Sequence, residues 1–141
     1  MNVESAAPYE AERPRLLLVE DDSGVRRSIQ LLLQARGFDV RAYAEGSALL
    51  SDPGPQMAVG LIADYRLPEL EGLSVLRSLR ATGWDGPAIL ITAYPSEDLT
   101  ELAKAAGYDA VLEKPLAEHL LVETTLRLLG RRRGDGSTVP P

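Results

Sequence analysis

Charged and hydroxyl side chains follow short apolar segments of the sequence, and their types point to phosphoryl chemistry. Glu20 and Asp21 follow one such segment and Asp64 ends another, while Thr92 and Lys114 come at the ends of two more. Carboxylates without His or Cys suit a hard cation such as Mg²⁺, and an ammonium with a hydroxyl suits a phosphoryl group. The pattern predicts a Mg²⁺-dependent phosphoryl site whose nucleophile is a carboxylate.

Five apolar segments alternate with five stretches of helical periodicity, and these must position the reactive residues. The predicted strands cover 15–20, 38–42, 59–64, 87–92 and 109–113. The predicted helices begin near 23, 46, 73 and 99, and the last covers 116–129. This alternation predicts a three-layer α/β fold, a doubly wound (βα)5 unit with a five-stranded parallel sheet. Ligands bind such sheets at the carboxyl ends of the strands, where the reactive residues fall.

Composition excludes several other kinds of function. The 141 residues carry a net charge of −6, which argues against a whole-surface binder of nucleic acid or membranes. The absence of cysteine excludes disulfides, Cys-ligated zinc and thiol nucleophiles. No apolar run approaches the ~20 residues of a membrane span, and the N-terminus lacks the features of a signal peptide. We therefore expect a soluble, cytoplasmic protein.

The sequence predicts one folded domain over residues 15–130. Residues 1–14 are polar and contain two prolines, so we expect a disordered N-terminal tail. Residues 131–141 are rich in Gly and Pro, which predicts a flexible C-terminal tail or a linker.

Four motifs together resemble the receiver domain of response regulators, the phospho-accepting half of two-component signalling. They are LLVEDD (17–22), IADYRLPELEGL (62–73), ILITAY (89–94) and AAGYDAVLEKPL (105–116). Each motif alone is weak, but their order and their places at predicted strand ends are specific. The resemblance covers roughly residues 15–130 and implies a flavodoxin-like strand order, 2-1-3-4-5.

The resemblance implies a phospho-acceptor and a metal site. Asp64 matches the phospho-accepting aspartate, and Glu20 and Asp21 match the acidic pair that binds Mg²⁺ or Mn²⁺ beside it. Arg66 would give the metal only its backbone carbonyl.

Other positions match residues that contact the phosphoryl group. Thr92 matches the hydroxyl that reaches for it, and Ala93 keeps room beside that hydroxyl. Lys114 matches the lysine that pairs with the phosphate, and the Lys114–Pro115 bond is often cis in relatives.

The resemblance also implies partners and a mode of action. Asp64 would take its phosphoryl group from a sensor histidine kinase or a histidine phosphotransfer protein and lose it to water, as a self-modifying switch rather than a turnover enzyme. The fourth helix, fifth strand and fifth helix would then present a changed surface to a downstream effector or output domain, or to a second copy in a homodimer. Neither membrane contact nor direct nucleic-acid binding is expected of this domain. Arg26 and Arg27 on the first helix fit a solvated face or a surface for docking the kinase.

One position departs from the family pattern. Receivers place Tyr or Phe three residues before the lysine, where its rotation reports the movement of the threonine, but Val111 stands there. Either the coupling is built differently, or Tyr94 or Tyr108 takes over part of the role. Pro95 follows Tyr94 and predicts a stiffened loop.

Three alternatives accompany this interpretation. The chain could be the receiver part of a longer DNA-binding transcriptional regulator, with 131–141 as the start of a linker. A Mg²⁺-dependent phosphatase with an aspartyl nucleophile would usually carry a second Asp two residues after the nucleophile, where Arg66 stands, and a cap domain. A flavodoxin-like binder would need a phosphate-cradling loop after the first strand, where the acidic residues would repel phosphate.

Overall fold

The structure is a computed structural model that describes residues 13–138, apart from the side chains of residues 56 and 131–138. The predicted N-terminal tail lies almost wholly outside these residues, and the predicted domain limits stay predictions. The strands are β1 (Arg15–Val19), β2 (Asp39–Tyr43), β3 (Gly60–Asp64), β4 (Ala88–Thr92) and β5 (Ala110–Glu113). The helices are α1 (Ser23–Gln34), α2 (Gly46–Ser51), α3 (Gly72–Ala81), α4 (Glu97–Ala106) and α5 (Glu118–Thr138).

All five strands are parallel and lie in the order β2-β1-β3-β4-β5. This confirms the predicted fold class and strand order. In the register of the sheet, Asp64 of β3 lies beside Ile91 of β4, and Thr92 lies beside Glu113 of β5. Asp64 and Thr92 therefore end two neighbouring strands at the same edge.

The three central strands form because their residues are apolar and can be buried on both faces, as parallel sheets require. Successive side chains of a strand point to opposite faces, so each strand contributes to two cores. One core packs α1 and α5 against the sheet, and the other packs α2, α3 and α4. The sheet between these two helical layers gives the three-layer arrangement that holds the strand ends in place.

Local capping decides where the helices near the strand ends begin. Oδ1 of Asp22 accepts a hydrogen bond from the Val25 amide (2.9 Å) and caps α1, and Ser96 caps α4 in the same way through the Leu99 amide (3.0 Å). These caps satisfy amide groups that have no partner within the helix. Each cap therefore fixes the loop between a strand end and the next helix.

The last helix extends beyond the end near residue 129 that the periodicity predicts. It continues to Thr138, and no proline interrupts the chain before residue 140. Within the described range, no helix combines the length and the hydropathy that a membrane span requires.

Candidate functional site

The sheet brings the sequence-predicted residues to one edge. The Glu20 amide follows β1 and donates to the Tyr43 carbonyl (3.0 Å), which extends the strand pairing by one residue. Asp64 and Thr92 end β3 and β4, and the Lys114 amide donates to the Thr92 carbonyl (2.8 Å). Backbone hydrogen bonds of the sheet thus hold the strand ends in register.

Lys114 bridges two of the carboxylates. Its Nζ lies 2.8 Å from Oε1 of Glu20 and 2.8 Å from Oδ2 of Asp64. The Glu20 side chain is fully buried, the Asp64 side chain is 7% exposed and that of Lys114 is 19% exposed. One ammonium therefore serves two carboxylates that have little access to water.

Burial and neighbouring charges have opposite effects on the pKa values of Glu20 and Lys114. Burial raises the pKa of Glu20, and the adjacent Lys114 ammonium and the hydrogen bond from the Asp22 amide offset only part of that rise. Burial alone would lower the pKa of Lys114, but its hydrogen bond to Asp64 and its ion pair with Glu20 outweigh burial and raise it. Lys114 is therefore held as a cation, while burial makes the charged form of Glu20 costly.

The acidic residues fit a divalent cation. Carboxylate oxygens of Glu20, Asp21 and Asp64 lie within 4.8 Å of one another, and Asp21 is exposed to solvent. Oε1 of Glu20 is buried and, among the described residues, accepts no hydrogen bond of regular geometry, although Lys114 lies nearby. Three oxygen donors of this kind suit Mg²⁺ or Mn²⁺. The carbonyl of Arg66 as a further ligand stays a prediction.

The backbone at Asp64 is held in place by contacts that the sequence motifs do not predict. A Cβ atom at Gly72 would lie 2.4 Å from the Asp64 carbonyl oxygen, so only glycine fits there. The Gly72 amide donates to the Tyr65 carbonyl (3.0 Å), and the buried Tyr108 hydroxyl donates to the Gly72 carbonyl (2.6 Å). These contacts fix the start of α3 against the end of β3.

Arg26 also supports the site. Its Nη1 donates to the carbonyl oxygens of Glu20 (2.8 Å) and Asp21 (3.4 Å). The sequence predicts a solvated or docking face for Arg26, because no local pattern connects a helical arginine with a loop six residues earlier. One of the two arginines on α1 therefore holds the backbone of the acidic loop.

The residues after Thr92 are exposed and form a loop before α4. The Tyr94 amide donates to Oγ1 of Thr92 (3.1 Å), and Ala93 between them is exposed. The Arg66 guanidinium lies over the Tyr94 ring, with Cζ 5.5 Å from the ring centroid. The Thr92 hydroxyl is thus tied to the backbone of its own loop.

Two other residues singled out from the sequence lie around β5. Val111 is half-buried and packs against the core on the α2, α3 and α4 face. The peptide bond between Lys114 and Pro115 is cis. Tyr108 is only 4% exposed and its hydroxyl is bound to Gly72, so of the two tyrosines considered for switching only Tyr94 is at the surface.

A cleft of about 540 Å³ opens beside the site, between α1 and the segment that follows β5. Lys114 lines it together with Asp22 and mainly apolar residues. These apolar residues include Val25, Ile29, Leu32, Pro115, Leu116 and Leu121. The cleft gives the site an apolar border on the α1 side.

Comparison with known protein families gives a match over nearly all of the described residues. The family described as "Response regulator receiver domain" matches residues 16–126. The chain is 35% identical over 125 residues to the transcriptional regulatory protein PrrA of Mycobacterium tuberculosis, covering 89% of this chain and 53% of PrrA. It is 35% identical over 121 residues to the response regulator MprA of Mycobacterium leprae, covering 86% of this chain and 53% of MprA. The chain thus spans about half the length of these curated relatives.

Solved structures share the same fold. A CheY-like receiver domain protein from Methanospirillum hungatei superposes with a TM-score of 0.82 at 24% identity, covering 88% of this chain and 99% of that one. The receiver domain of a putative LuxO repressor from Vibrio parahaemolyticus superposes with a TM-score of 0.81 at 25% identity, covering 89% and 97%. Each of these two solved structures is therefore covered almost end to end by its superposition on this chain.

Proposed function

The chain belongs to the response regulator receiver family, and we propose that it accepts a phosphoryl group on Asp64. The observation that carries the proposal is the shared ammonium of Lys114, which lies 2.8 Å from carboxylates of both Glu20 and Asp64. A fixed ammonium beside a carboxylate nucleophile is placed to pair with phosphoryl oxygens. Receiver domains are signalling switches, so we propose a self-modifying switch rather than a turnover enzyme.

The phosphoryl donor is a phosphohistidine of a sensor histidine kinase or a histidine phosphotransfer protein. An Oδ atom of Asp64 forms the new bond to phosphorus, and the N–P bond breaks with its electron pair staying on the imidazole. Lys114 pairs with the phosphoryl oxygens, and the Thr92 hydroxyl donates to one of them. Glu20, Asp21, Asp64 and the Arg66 carbonyl would hold Mg²⁺, which when bound supplies positive charge against the developing negative charge.

The cleft beside Lys114 suits the approach of the phosphohistidine donor. Its walls are mainly apolar residues of α1 and of the segment after β5, and such a border can pack against helices of a partner. A donor seated there reaches the site from the side of Lys114 rather than through the sheet. In this arrangement α1 contributes both to the site, through Arg26, and to the docking surface.

We propose that the output of the switch lies in a longer protein. The chain spans about half the length of PrrA, which is named a transcriptional regulatory protein, and of the response regulator MprA. We therefore propose that it acts as the receiver part of a cytoplasmic DNA-binding regulator, without touching DNA itself. The surface of α4, β5 and α5 would pass the signal to the output domain or to a second copy of the chain.

The test is the mass of the intact protein after incubation with Mg²⁺ and acetyl phosphate. We expect a single phosphate adduct that is lost at high pH and absent in Asp64→Ala. Asp98→Ala is the matched control, because Asp98 is an exposed carboxylate in the first turn of α4, and it should label like the unaltered protein. Labelling of Asp64→Ala at the unaltered level would place the acceptor elsewhere.

A further inference from the structure

The first residue of α3 packs directly against the backbone of the proposed acceptor. The Gly72 amide donates to the Tyr65 carbonyl (3.0 Å), and a Cβ atom at Gly72 would lie 2.4 Å from the Asp64 carbonyl oxygen. The space between the start of this helix and the end of β3 is therefore too small for a methyl group. Because close-packed groups transmit strain, the position of Gly72 constrains the position of Asp64.

Tyr108 holds Gly72 from a distant part of the chain. Its hydroxyl donates to the Gly72 carbonyl (2.6 Å) across 36 residues, and its ring is 4% exposed in the core that α3 and α4 share. Burial raises the pKa of the Tyr108 hydroxyl, so it is protonated and able to donate at neutral pH. A phenylalanine would fill the same space without a polar group to satisfy. The hydroxyl, rather than the volume of the ring, therefore makes the contact with α3.

The turn that carries Tyr108 is itself firmly held. Gly107 ends α4 with a φ of 110°, and the amides of Gly107 and Tyr108 both donate to the Ala103 carbonyl (3.1 and 2.9 Å). Arg80, near the C-terminal end of α3, donates through Nη2 to the Gly107 carbonyl (2.9 Å). Tyr108 therefore extends from a fixed base, and its hydroxyl gives Gly72 a fixed partner.

Resting on the proposed function, we propose that Tyr108 is a positioning residue for phosphoryl transfer, which fixes the Asp64 carboxylate by holding Gly72 against the end of β3. In that transfer an Oδ atom of Asp64 bonds to phosphorus, while the bond from phosphorus to the donor breaks and its electron pair leaves with the donor. Tyr108 contributes no reacting atom and acts only through the backbone. Oδ2 of Asp64 lies 2.8 Å from the Lys114 ammonium, and small displacements of a reacting group are costly at such distances.

The experiment separates a loss of positioning from a loss of stability. Tyr108→Phe keeps the ring and removes the hydroxyl. Thr125→Val is the matched control, because the Thr125 hydroxyl is also buried and donates to the Leu121 carbonyl (2.8 Å) within α5, on the other face of the sheet. Each protein is incubated with acetyl phosphate and Mg²⁺ under conditions where urea titration shows it to be folded, and intact mass gives the initial rate of labelling.

Both variants should lose stability, but only Tyr108→Phe should label more slowly. Its rate should fall about two- to tenfold, which is the contribution of one hydrogen bond when that bond is lost in the transition state. Thr125→Val should label at the unaltered rate, because its lost bond does not contact the end of β3.

A double-mutant cycle tests whether Tyr108 acts through Gly72. Gly72→Ala crowds the Asp64 carbonyl directly, so Tyr108→Phe and Gly72→Ala disturb the same contact. Their effects on the labelling rate should therefore combine to less than the product of the single effects. Gly72→Ala combined with Thr125→Val should give the full product, since these two residues share no contact.

The outcomes distinguish this inference from the proposed function. A Tyr108→Phe protein that is less stable but labels at the unaltered rate would overturn the positioning role and leave Asp64 as the acceptor. Equal slowing in Thr125→Val would also overturn it, since the rate would then follow stability. Effects of Tyr108→Phe and Gly72→Ala that multiply fully would exclude Gly72 as the route and overturn it as well. Absence of any adduct in the unaltered protein would overturn both proposals.

Discussion

Replacing Gly72 by alanine tests how tightly the acceptor strand is held. A Cβ atom at residue 72 would lie 2.4 Å from the carbonyl oxygen of Asp64 and 3.1 Å from both its carbonyl carbon and a methyl of Leu90. The Leu90 methyl can rotate away, but the Asp64 carbonyl is backbone. Either the end of β3 or the start of α3 must therefore move by about 1 Å to restore an ordinary contact.

Two opposing effects determine how much Gly72→Ala changes the free energy of unfolding. Crowding of a packed interior costs about 1–3 kcal/mol. Alanine favours helix over glycine by up to about 1 kcal/mol in a helix interior, but Gly72 is the first residue of α3, where this gain is smaller. We therefore expect Gly72→Ala to lose about 1–2 kcal/mol of unfolding free energy, which corresponds to a melting temperature lower by about 3–8 °C.

The displacement of the backbone should also slow phosphorylation of Asp64. Asp64 carries both the crowded carbonyl and the proposed nucleophile, so the labelling rate with acetyl phosphate should fall along with stability. Urea unfolding and intact mass measure the two effects. Gly130→Ala is the matched control, since a Cβ there meets nothing within 4 Å and alanine should leave stability equal or slightly higher. A Gly72→Ala protein as stable and as reactive as the unaltered one would refute the close approach.

Three further predictions concern the charges and the buried hydroxyl. Adding Mg²⁺ to EDTA-treated protein should stabilise it in urea by about 1.4 kcal/mol at ten times the dissociation constant, and Asp21→Ala should abolish this gain; an equal gain in the variant would move the metal elsewhere. Lys114→Met keeps the length but removes the ammonium, and the labelling rate should fall about ten- to hundredfold, the worth of a charged hydrogen bond; an unchanged rate would exclude Lys114 from the chemistry. Tyr108→Phe keeps the ring but loses the bond to the Gly72 carbonyl, and urea unfolding should show a loss of about 0.5–1.5 kcal/mol, whereas no loss would contradict that bond.

The fold and the cluster of charges could both be predicted from the sequence, because the strands are recognisable as apolar runs and the charged residues stand at their ends. The apolar runs of the central strands are long enough to be recognised, and alternation with helices leaves a parallel sheet as the solution. Once the strands are parallel, residues at their carboxyl ends meet at one edge. Lys114 and Asp64 are 50 residues apart in the chain and still lie within hydrogen-bond distance.

The supporting contacts could not be predicted, because they depend on how elements pack rather than on local pattern. Tyr108 reaches Gly72 across 36 residues, and nothing in either neighbourhood indicates the other. Arg26 lies on a helix whose charged face is normally solvated, yet its direction brings it back to the carbonyls of the acidic loop. Such contacts follow from side-chain directions, which periodicity does not specify.

The charge balance of the site suits the proposed role of a phosphoryl group as a signal. With all three carboxylates ionised, the one ammonium leaves two negative charges in excess, which a divalent cation would balance. Phosphorylation of Asp64, as proposed, would replace its single charge with a group of roughly −1.5 to −2, so the net charge would change by one or less. The larger change would be in position, because the new charge would lie beyond the carboxylate, whose Oδ2 is already 2.8 Å from the Lys114 ammonium. The Thr92 hydroxyl accepts the Tyr94 amide and can still donate its own proton, so a movement of this hydroxyl toward the phosphoryl group would pull on the loop that leads into α4.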